Sequence, residues 1–379
     1  MRHPHAAGVR EVATFKRKRV TPGKPGHSVQ KADSSPSDER RPRRTKPVRR
    51  IPRWPKALLG VGFGLVLIAL VAGLGLQGVT QRYDQSLAKE LLLDPAARRD
   101  RSSASSPLNY LLVGSDRRNA AEQSDQRADT ILIAHIPAGR DRAYLISVPR
   151  DLLVEIPPAP GNAYSGGSDK INSAFHFGGG GQPGARLLSA TLTQVTGLRF
   201  DGAALIDFSG FRKVIDLLGG VRMCVDTPVR SIHTNTQFNP GCQEMDGARA
   251  LDYARQRYDL PGGDFDRQRH QQQLLRAIMD KASASDLRTN PRKLDEVIRA
   301  VGASLTVDTN GTPTQDMVFG LRGLRPEAMK GIQVPSRSEM IGDTSYVVLD
   351  EGAAGLFQSL RGPDLDGWAQ ANPKWVNHL

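Results

Sequence analysis

The sequence predicts an α/β domain with a central mixed β-sheet covered by helices on both faces, preceded by one transmembrane helix. Three observations predict it. An uncharged run, Ala57 to Leu76, follows a strongly basic segment, and about 20 such residues cross a bilayer as a helix. Downstream, short apolar runs rich in β-branched residues alternate with helical stretches. Those strand-like runs are apolar at successive positions, as strands buried on both faces are.

The chain has 379 residues and a formal net charge of +13. Residues 1–56 hold 17 Lys and Arg against 4 Asp and Glu. That surplus of 13 equals the charge of the whole chain, so the remainder is close to neutral. The basicity belongs to the tail, and nucleic acid is not an expected partner of the outer domain. With little apolar content, residues 1–56 cannot bury enough surface to offset ordering and are expected to be disordered.

Residues 57–77 are assigned to the transmembrane helix. Charged residues crowd up to Lys56 and none follows until Arg82. The positive-inside rule then puts the tail in the cytoplasm and the rest outside the plasma membrane. A cleaved signal peptide has a shorter leader and a small-residue cleavage site, so an uncleaved anchor is expected. Gly60 and Gly64 form a GxxxG, which can pair two helices and leaves a homo-oligomer open. Residues 78–106 read as a polar, partly helical stalk, 107–361 as the folded outer domain, and 362–379 as a loose tail.

Within the domain, NYLLV, TILIAHI and RAYLISV are read as strands. KINSAFHF, GARLLSATLTQVTG and FSGFRKVIDLLGG are read as helices, the last stopped by Gly219 and Gly220. AALIDF and VRMCVD are strands on either side of that last helix. Gly178 to Gly181 is read as a mobile loop. QQQLLRAIMDKAS is an amphipathic helix, and KGIQVPS, SYVVLD and EGAAGLFQSL complete the domain. Cys224 and Cys242 are the two cysteines, both on the outer side. Oxidising surroundings permit a disulfide between them.

Polar residues cluster at strand ends, where open α/β sheets bind ligands. Asp116 and Arg117 follow the first strand, Arg127 and Asp129 precede the second, and Arg150 and Asp151 follow the third. Asp129 reaches that end only if the second strand runs antiparallel to the first. Further on, LDYARQRYDLPGGDFDRQRHQQQLL carries Arg255, Arg257, Arg267 and Arg269 around a Pro-Gly-Gly turn. The turn lets the two basic pieces face one site. Gathered guanidiniums hold phosphate oxygens bidentately. Two carboxylates, Asp116 and Asp129, can share Mg²⁺, which takes its remaining ligands from water and phosphate. A cation with several guanidiniums suits phosphoryl transfer. There is no Walker A, GxSxG or HExxH. His176 is expected to be packed. His270 is open between the site and the surface.

The blocks LLVGSDRR, RADTILIAHI, ISVPRD, KINSAF, IDFSGFRKVIDLLGGV, GCQEMDGARALDYARQRY and GDFDRQRHQQQ, in this order from Leu108 to Ile278, resemble the LytR–CpsA–Psr family of envelope proteins. The resemblance implies an extracytoplasmic phosphotransferase. Such a protein moves a glycopolymer from a polyprenyl diphosphate carrier to a peptidoglycan hydroxyl and releases polyprenyl phosphate. It implies that Asp116 and Asp129 serve Mg²⁺, with Mn²⁺ as an alternative ion. It implies that Arg150, Arg255, Arg257 and Gln271 hold the diphosphate, with Arg127 and Arg267 as further contacts. An apolar pocket between sheet and helices would take the prenyl tail. Ala128 stands where the family often has Ser, a departure that leaves the charge set intact. The cysteine pair and the Gly-rich composition are similar to versions from high-GC Gram-positive bacteria. There the polymer can be arabinogalactan instead of teichoic acid or capsule. Two rival readings stay open: a prenyl diphosphate pyrophosphatase using water as acceptor, and a non-enzymatic envelope regulator.

Overall fold

The computed structural model describes residues 88–100, 106–115, 126–284, 290–302, 305–313 and 324–379. The basic tail, the expected membrane helix and Asp116 lie outside the described residues. Among the described residues no helix is long and apolar enough to cross a membrane.

The strands are β1 (Ala88–Lys89), β2 (Leu108–Ser115), β3 (Ala128–Ile136), β4 (Ala143–Ser147), β5 (Leu153–Ile156), β6 (Gly167–Lys170), β7 (Gly202–Asp207), β8 (Val221–Val225), β9 (Val229–Arg230), β10 (Gln237–Phe238), β11 (Gly241–Met245), β12 (Leu305–Asp308), β13 (Met329–Gln333), β14 (Ser336–Ile341), β15 (Thr344–Leu349) and β16 (Val376–His378). The helices are α1 (Ile171–Phe177), α2 (Gly181–Thr196), α3 (Phe208–Leu217), α4 (Gly247–Arg255), α5 (Asp264–Ala284), α6 (Pro291–Gly302), α7 (Gly352–Arg361) and α8 (Leu365–Ala371).

Eight strands form one mixed sheet in the order β1-β12-β7-β2-β3-β4-β13-β16. β2 pairs antiparallel with β3 and parallel with β7, while β13 runs parallel to β4. Each central strand feeds two cores. Tyr110, Leu112, Leu132 and Leu145 face α3, α4 and α5, through Phe211, Leu251 and Leu274. Leu111, Val113, Ile133 and Ile146 face α1, α2 and α7, through Phe175, Leu188 and Leu356. Helices cover both faces, which is why the strands read as continuous apolar runs.

Three expectations are corrected. Residues 88–100, assigned to a stalk, belong to the domain. β1 pairs with β12, Leu92 and Leu93 are buried, and Arg98 pairs with Asp308 at 2.9 Å. One apolar doublet is too short to show a period. Arg361 to Leu379 is not a loose tail. α8 is capped by Asp364, whose carboxylate accepts from Gly367 N; Trp368 is buried, and β16 pairs antiparallel with β13. A seven-residue helix and a three-residue strand fall below what periodicity detects. The Gly178 to Gly181 run is a tight α1–α2 junction bonded to the end of α1, with Gly180 N donating to Phe175 O at 2.9 Å. A Cβ on Gly184 would lie 2.3 Å from Phe175 O, so glycine is what lets the two helices meet.

α5 is pinned to the sheet by one buried side chain. Gln272 Nε2 donates to Leu145 O at 3.0 Å, Ser147 Oγ at 2.8 Å and Ile332 O at 3.0 Å. Its Oε1 accepts from Asn377 Nδ2 at 2.9 Å. Gly331 makes room, because a Cβ there would meet Gln272 Oε1 at 2.0 Å. Replacing the amide leaves buried acceptors without a donor, each a loss of about 1–3 kcal/mol. Gln272→Leu is therefore expected to lower unfolding free energy by about 3 kcal/mol in urea titrations. An unchanged midpoint contradicts the pin.

Candidate active site

The sheet register builds the first part of the site. β3 and β4 run antiparallel with Leu132 opposite Ser147. Continuing that register sets Asp129 opposite Arg150, just past the end of β4. The two side chains form an ion pair through Arg150 Nη1 and Asp129 Oδ1. Because β2 and β3 are antiparallel, Asp129 does reach the carboxyl end of β2.

The Arg-rich stretch supplies the second part. α4 starts at an Asp246 cap that accepts from Arg249 N at 2.8 Å, and Arg255 lies in its last turn. A cation there complements the helix dipole. Gly247 allows the approach to α3, since a Cβ would lie 2.2 Å from Arg212 O. The chain then turns through Gly263, which has φ +54°. α5 begins with Asp264 and Asp266 in its first turn. Asp264 accepts from Gln268 Nε2 at 3.0 Å and pairs with Arg267. Arg150 Nε lies 4.0 Å from the same carboxylate, buried and without a hydrogen-bond partner.

Arg267 is 5% exposed. Burial pulls its pKa down, and Asp264 and Asp129 act against that fall. Arg257 stacks on Tyr258, 4.7 Å from the ring centroid, and donates to its hydroxyl at 2.7 Å. Burial lowers the Arg257 pKa, but Tyr258, Asp151 and Asp264 outweigh it and the net shift is upward. The pair Asp129–Arg150 and the set Arg257, Asp264, Arg267 thus form one charged cluster.

Beside the cluster runs a narrow apolar slot on the α3–α4–α5 face of the sheet. Its walls include Leu112, Leu132, Ile206, Phe211, Leu251, Ala254, Leu274 and Leu275. Its polar lining comes from Arg255, Gln271 and Thr130. Arg255 and Gln271 therefore stand where grease meets charge. The slot lies between sheet and helices, where the resemblance places an apolar pocket.

Arg127 is exposed two residues before Asp129, and among the described residues no ion pair ties it to the cluster. Asp116 lies outside the described residues. No group of three or more His, Cys, Asp or Glu able to hold a metal occurs among the described residues. His176 is half-buried beside Phe177, as expected of a packed residue. His270 belongs neither to the site nor to the surface. It is 1% exposed, stacked on Tyr253 at 4.3 Å, with Nε2 3.0 Å from the Tyr253 hydroxyl. Cys224 and Cys242 form the expected disulfide, directly opposite each other on β8 and β11. Two partners escaped the sequence reading as site residues. Asp264 was one charge among many in its stretch. Lys170, paired with Asp151 at 3.3 Å, sits in a motif with no other sign of function.

Fold and site together define an α/β domain with an arginine-rich charged cluster beside an apolar slot. The LytR_cpsA_psr family model matches residues 77–360, and the chain belongs to that family. It is 31% identical over 324 residues to the probable cell wall biosynthesis protein LcpB of Corynebacterium glutamicum, covering 81% of this chain and 72% of that one. It is 25% identical to the polyisoprenyl-teichoic acid–peptidoglycan teichoic acid transferase TagU of Enterococcus faecalis, covering 78% and 93%. The crystal structure of protein gbs0355 from Streptococcus agalactiae shares the fold. The TM-score is 0.60 at 20% identity, over 70% of this chain and 91% of that one.

Two buried histidines make stability pH-dependent. Burial lowers His135 and His270 from 6.5 to about 4. The unfolded chain takes up these protons below about pH 6.5, whereas the folded chain resists until about pH 4. Their contribution is thus full above pH 6.5 and is lost as pH falls toward 4, on the order of 3 kcal/mol each. Urea midpoints are expected to fall across that window, and less steeply in His270→Gln. Identical slopes in the two proteins contradict the assignment.

Proposed function

We propose that the protein is an extracytoplasmic phosphotransferase. It moves a glycopolymer from a polyprenyl diphosphate carrier onto a hydroxyl of peptidoglycan. The observation that carries this reading is the cluster of guanidiniums at the open end of an apolar slot. A carrier lipid has the same two halves, a greasy chain and a diphosphate. The name of the TagU relative, a transferase from a polyisoprenyl-linked polymer to peptidoglycan, supports it.

In this reading the helix of residues 57–77 anchors the domain at the outer face of the plasma membrane. The prenyl chain enters between the sheet and α3, α4 and α5. Because the slot is narrow, those helices spread to admit it. The diphosphate meets Arg255 and Gln271 at the mouth, then Arg257, Arg150 and Arg267, with Arg127 able to swing in from its exposed position. The acceptor oxygen forms a bond to the phosphorus that carries the sugar. The bond from that phosphorus to the bridging oxygen breaks, and polyprenyl phosphate leaves with the electron pair and takes up the proton the acceptor hydroxyl gives up. Fixed guanidiniums stabilise the charge that gathers on the transferring phosphate.

Mg²⁺ fits the donor set we assign to it, and Mn²⁺ suits the same ligands. Ser115 pairs with Ala128, and each directly precedes one of the two carboxylates, Asp116 and Asp129. Two carboxylates suffice for an ion that keeps waters and phosphate oxygens as its other ligands. When bound, the ion neutralises phosphate charge. Asp129, paired with Arg150, would be one ligand and Asp116 the other.

Full-length protein given a short prenyl diphosphate-linked glycan is expected to form a phosphodiester on added peptidoglycan strands. Release of the glycan phosphate to water alone, at the same rate with or without strands, favours the pyrophosphatase instead. Arg255→Ala and Arg257→Ala are each expected to slow transfer about 100-fold with stability within about 1 kcal/mol of the parent. Normal ligation by either variant removes that arginine from the site.

A further inference from the structure

Arg150 is followed by a carboxylate that belongs to a second polar surface. Asp151 Oδ1 pairs with Lys170 Nζ at 3.3 Å, and its Oδ2 lies 3.8 Å from Arg150 Nε. Lys170 Nζ sits 5.5 Å from the centroid of the Tyr346 ring. The β14–β15 hairpin that carries Tyr346 is tied to the same point, with Val347 N donating to Asp151 O at 2.9 Å. Asp151 and Lys170 keep 22% and 26% of their side chains exposed. None of the three lines the apolar slot. They form an open shelf that meets the phosphate cluster through Arg150.

We propose that this shelf, built from Asp151, Lys170 and Tyr346, binds the acceptor sugar of a glycan strand. The inference rests on the transferase reading and adds the acceptor's subsite to it. A polymer is too large for an enclosed cavity, so its attacking residue must be met on open surface. The three side chains offer what a pyranose needs. The carboxylate accepts from hydroxyls and the ammonium donates to ring and hydroxyl oxygens. The aromatic face, negative by its quadrupole, packs against C–H bonds. Location completes the case. Arg150 contacts Asp129 on one side and Asp151 on the other, so a hydroxyl bound at Asp151 lies beside a phosphate bound at Arg150. Transfer needs those two atoms within about 3.5 Å. Asp151 is held by two cations, which suits it to orient a hydroxyl.

The test measures KM for donor and acceptor separately in the full-length chain, purified in detergent. The donor is a farnesyl diphosphate-linked disaccharide, and the acceptor is soluble, uncross-linked peptidoglycan strands. Tyr346→Ala and Lys170→Met are each expected to raise acceptor KM about tenfold. At saturating acceptor kcat recovers, and donor KM stays within about twofold. A merely structural role for the Lys170–Asp151 pair would lower stability without this split. Tyr346→Ala changes a half-buried residue on an outer hairpin, so it reports even if Lys170→Met does not fold. An acceptor KM within twofold of the parent in Tyr346→Ala overturns the shelf while the transferase reading stands. A parent protein that moves nothing from the donor to any acceptor overturns that reading and the shelf with it.

Discussion

Arg150 is the joint on which the site turns. It leaves the end of β4, pairs across the sheet with Asp129, and stands 4.0 Å from Asp264 at the start of α5. Sheet and helix are thereby locked together at the place where both contribute arginines. Removing an unpaired charge from water is costly, so the guanidiniums are kept in place by carboxylates. Arg150, Arg257 and Arg267 face Asp129, Asp151 and Asp264. Adding Arg255 leaves the cluster with a surplus of positive charge. Under the proposed function, an incoming diphosphate would meet donors already oriented, with their desolvation already met during folding. That is the form of electrostatic preorganisation that serves phosphoryl transfer.

The same geometry explains why the slot and the cluster are neighbours. α4 and α5 each present apolar residues to the sheet and end or begin in charge. Leu251 and Ala254 on α4, and Leu274 and Leu275 on α5, wall the slot. Arg255 comes at the last turn of one helix, while Arg267 and Gln271 come early in the other. Gln272, about 100° around the helix from Gln271, fixes the rotation of α5 by bonding three groups of β4 and β13. Gln271 is then turned to the slot. The C-terminal strand enters the same bond set through Asn377, so the chain's last segment helps to orient the helix that lines the site.

Much of this was legible in the sequence, for identifiable reasons. Strands apolar on both faces announced a covered sheet, and residue types at strand ends announced where the charged cluster gathers. The Pro-Gly-Gly turn marked the reversal between Arg257 and Arg267. What stayed hidden depends on register and pairing. Nothing in the string DFDRQRHQQQ separates Arg267 and Gln271, which reach the site, from Gln272 and His270, which are buried as structural groups. One position of helical rotation decides it. Leu92 and Leu93, Trp368 and the strand Val376–His378 were missed because a doublet, a single residue and three residues carry no period. Lys170 and Asp151 lie 19 positions apart, and only the fold of β5 and β6 brings them together.

The central claim is that guanidiniums over an apolar slot hold the head of a carrier lipid. Mass spectrometry of lipid extracted from the full-length protein, purified in mild detergent, addresses it most directly. The expected result is a polyprenyl phosphate or diphosphate bound to the parent protein and lost in a variant carrying Arg255→Ala and Arg257→Ala together. Recovery of ordinary bilayer phospholipids alone, in equal amounts from both proteins, contradicts it.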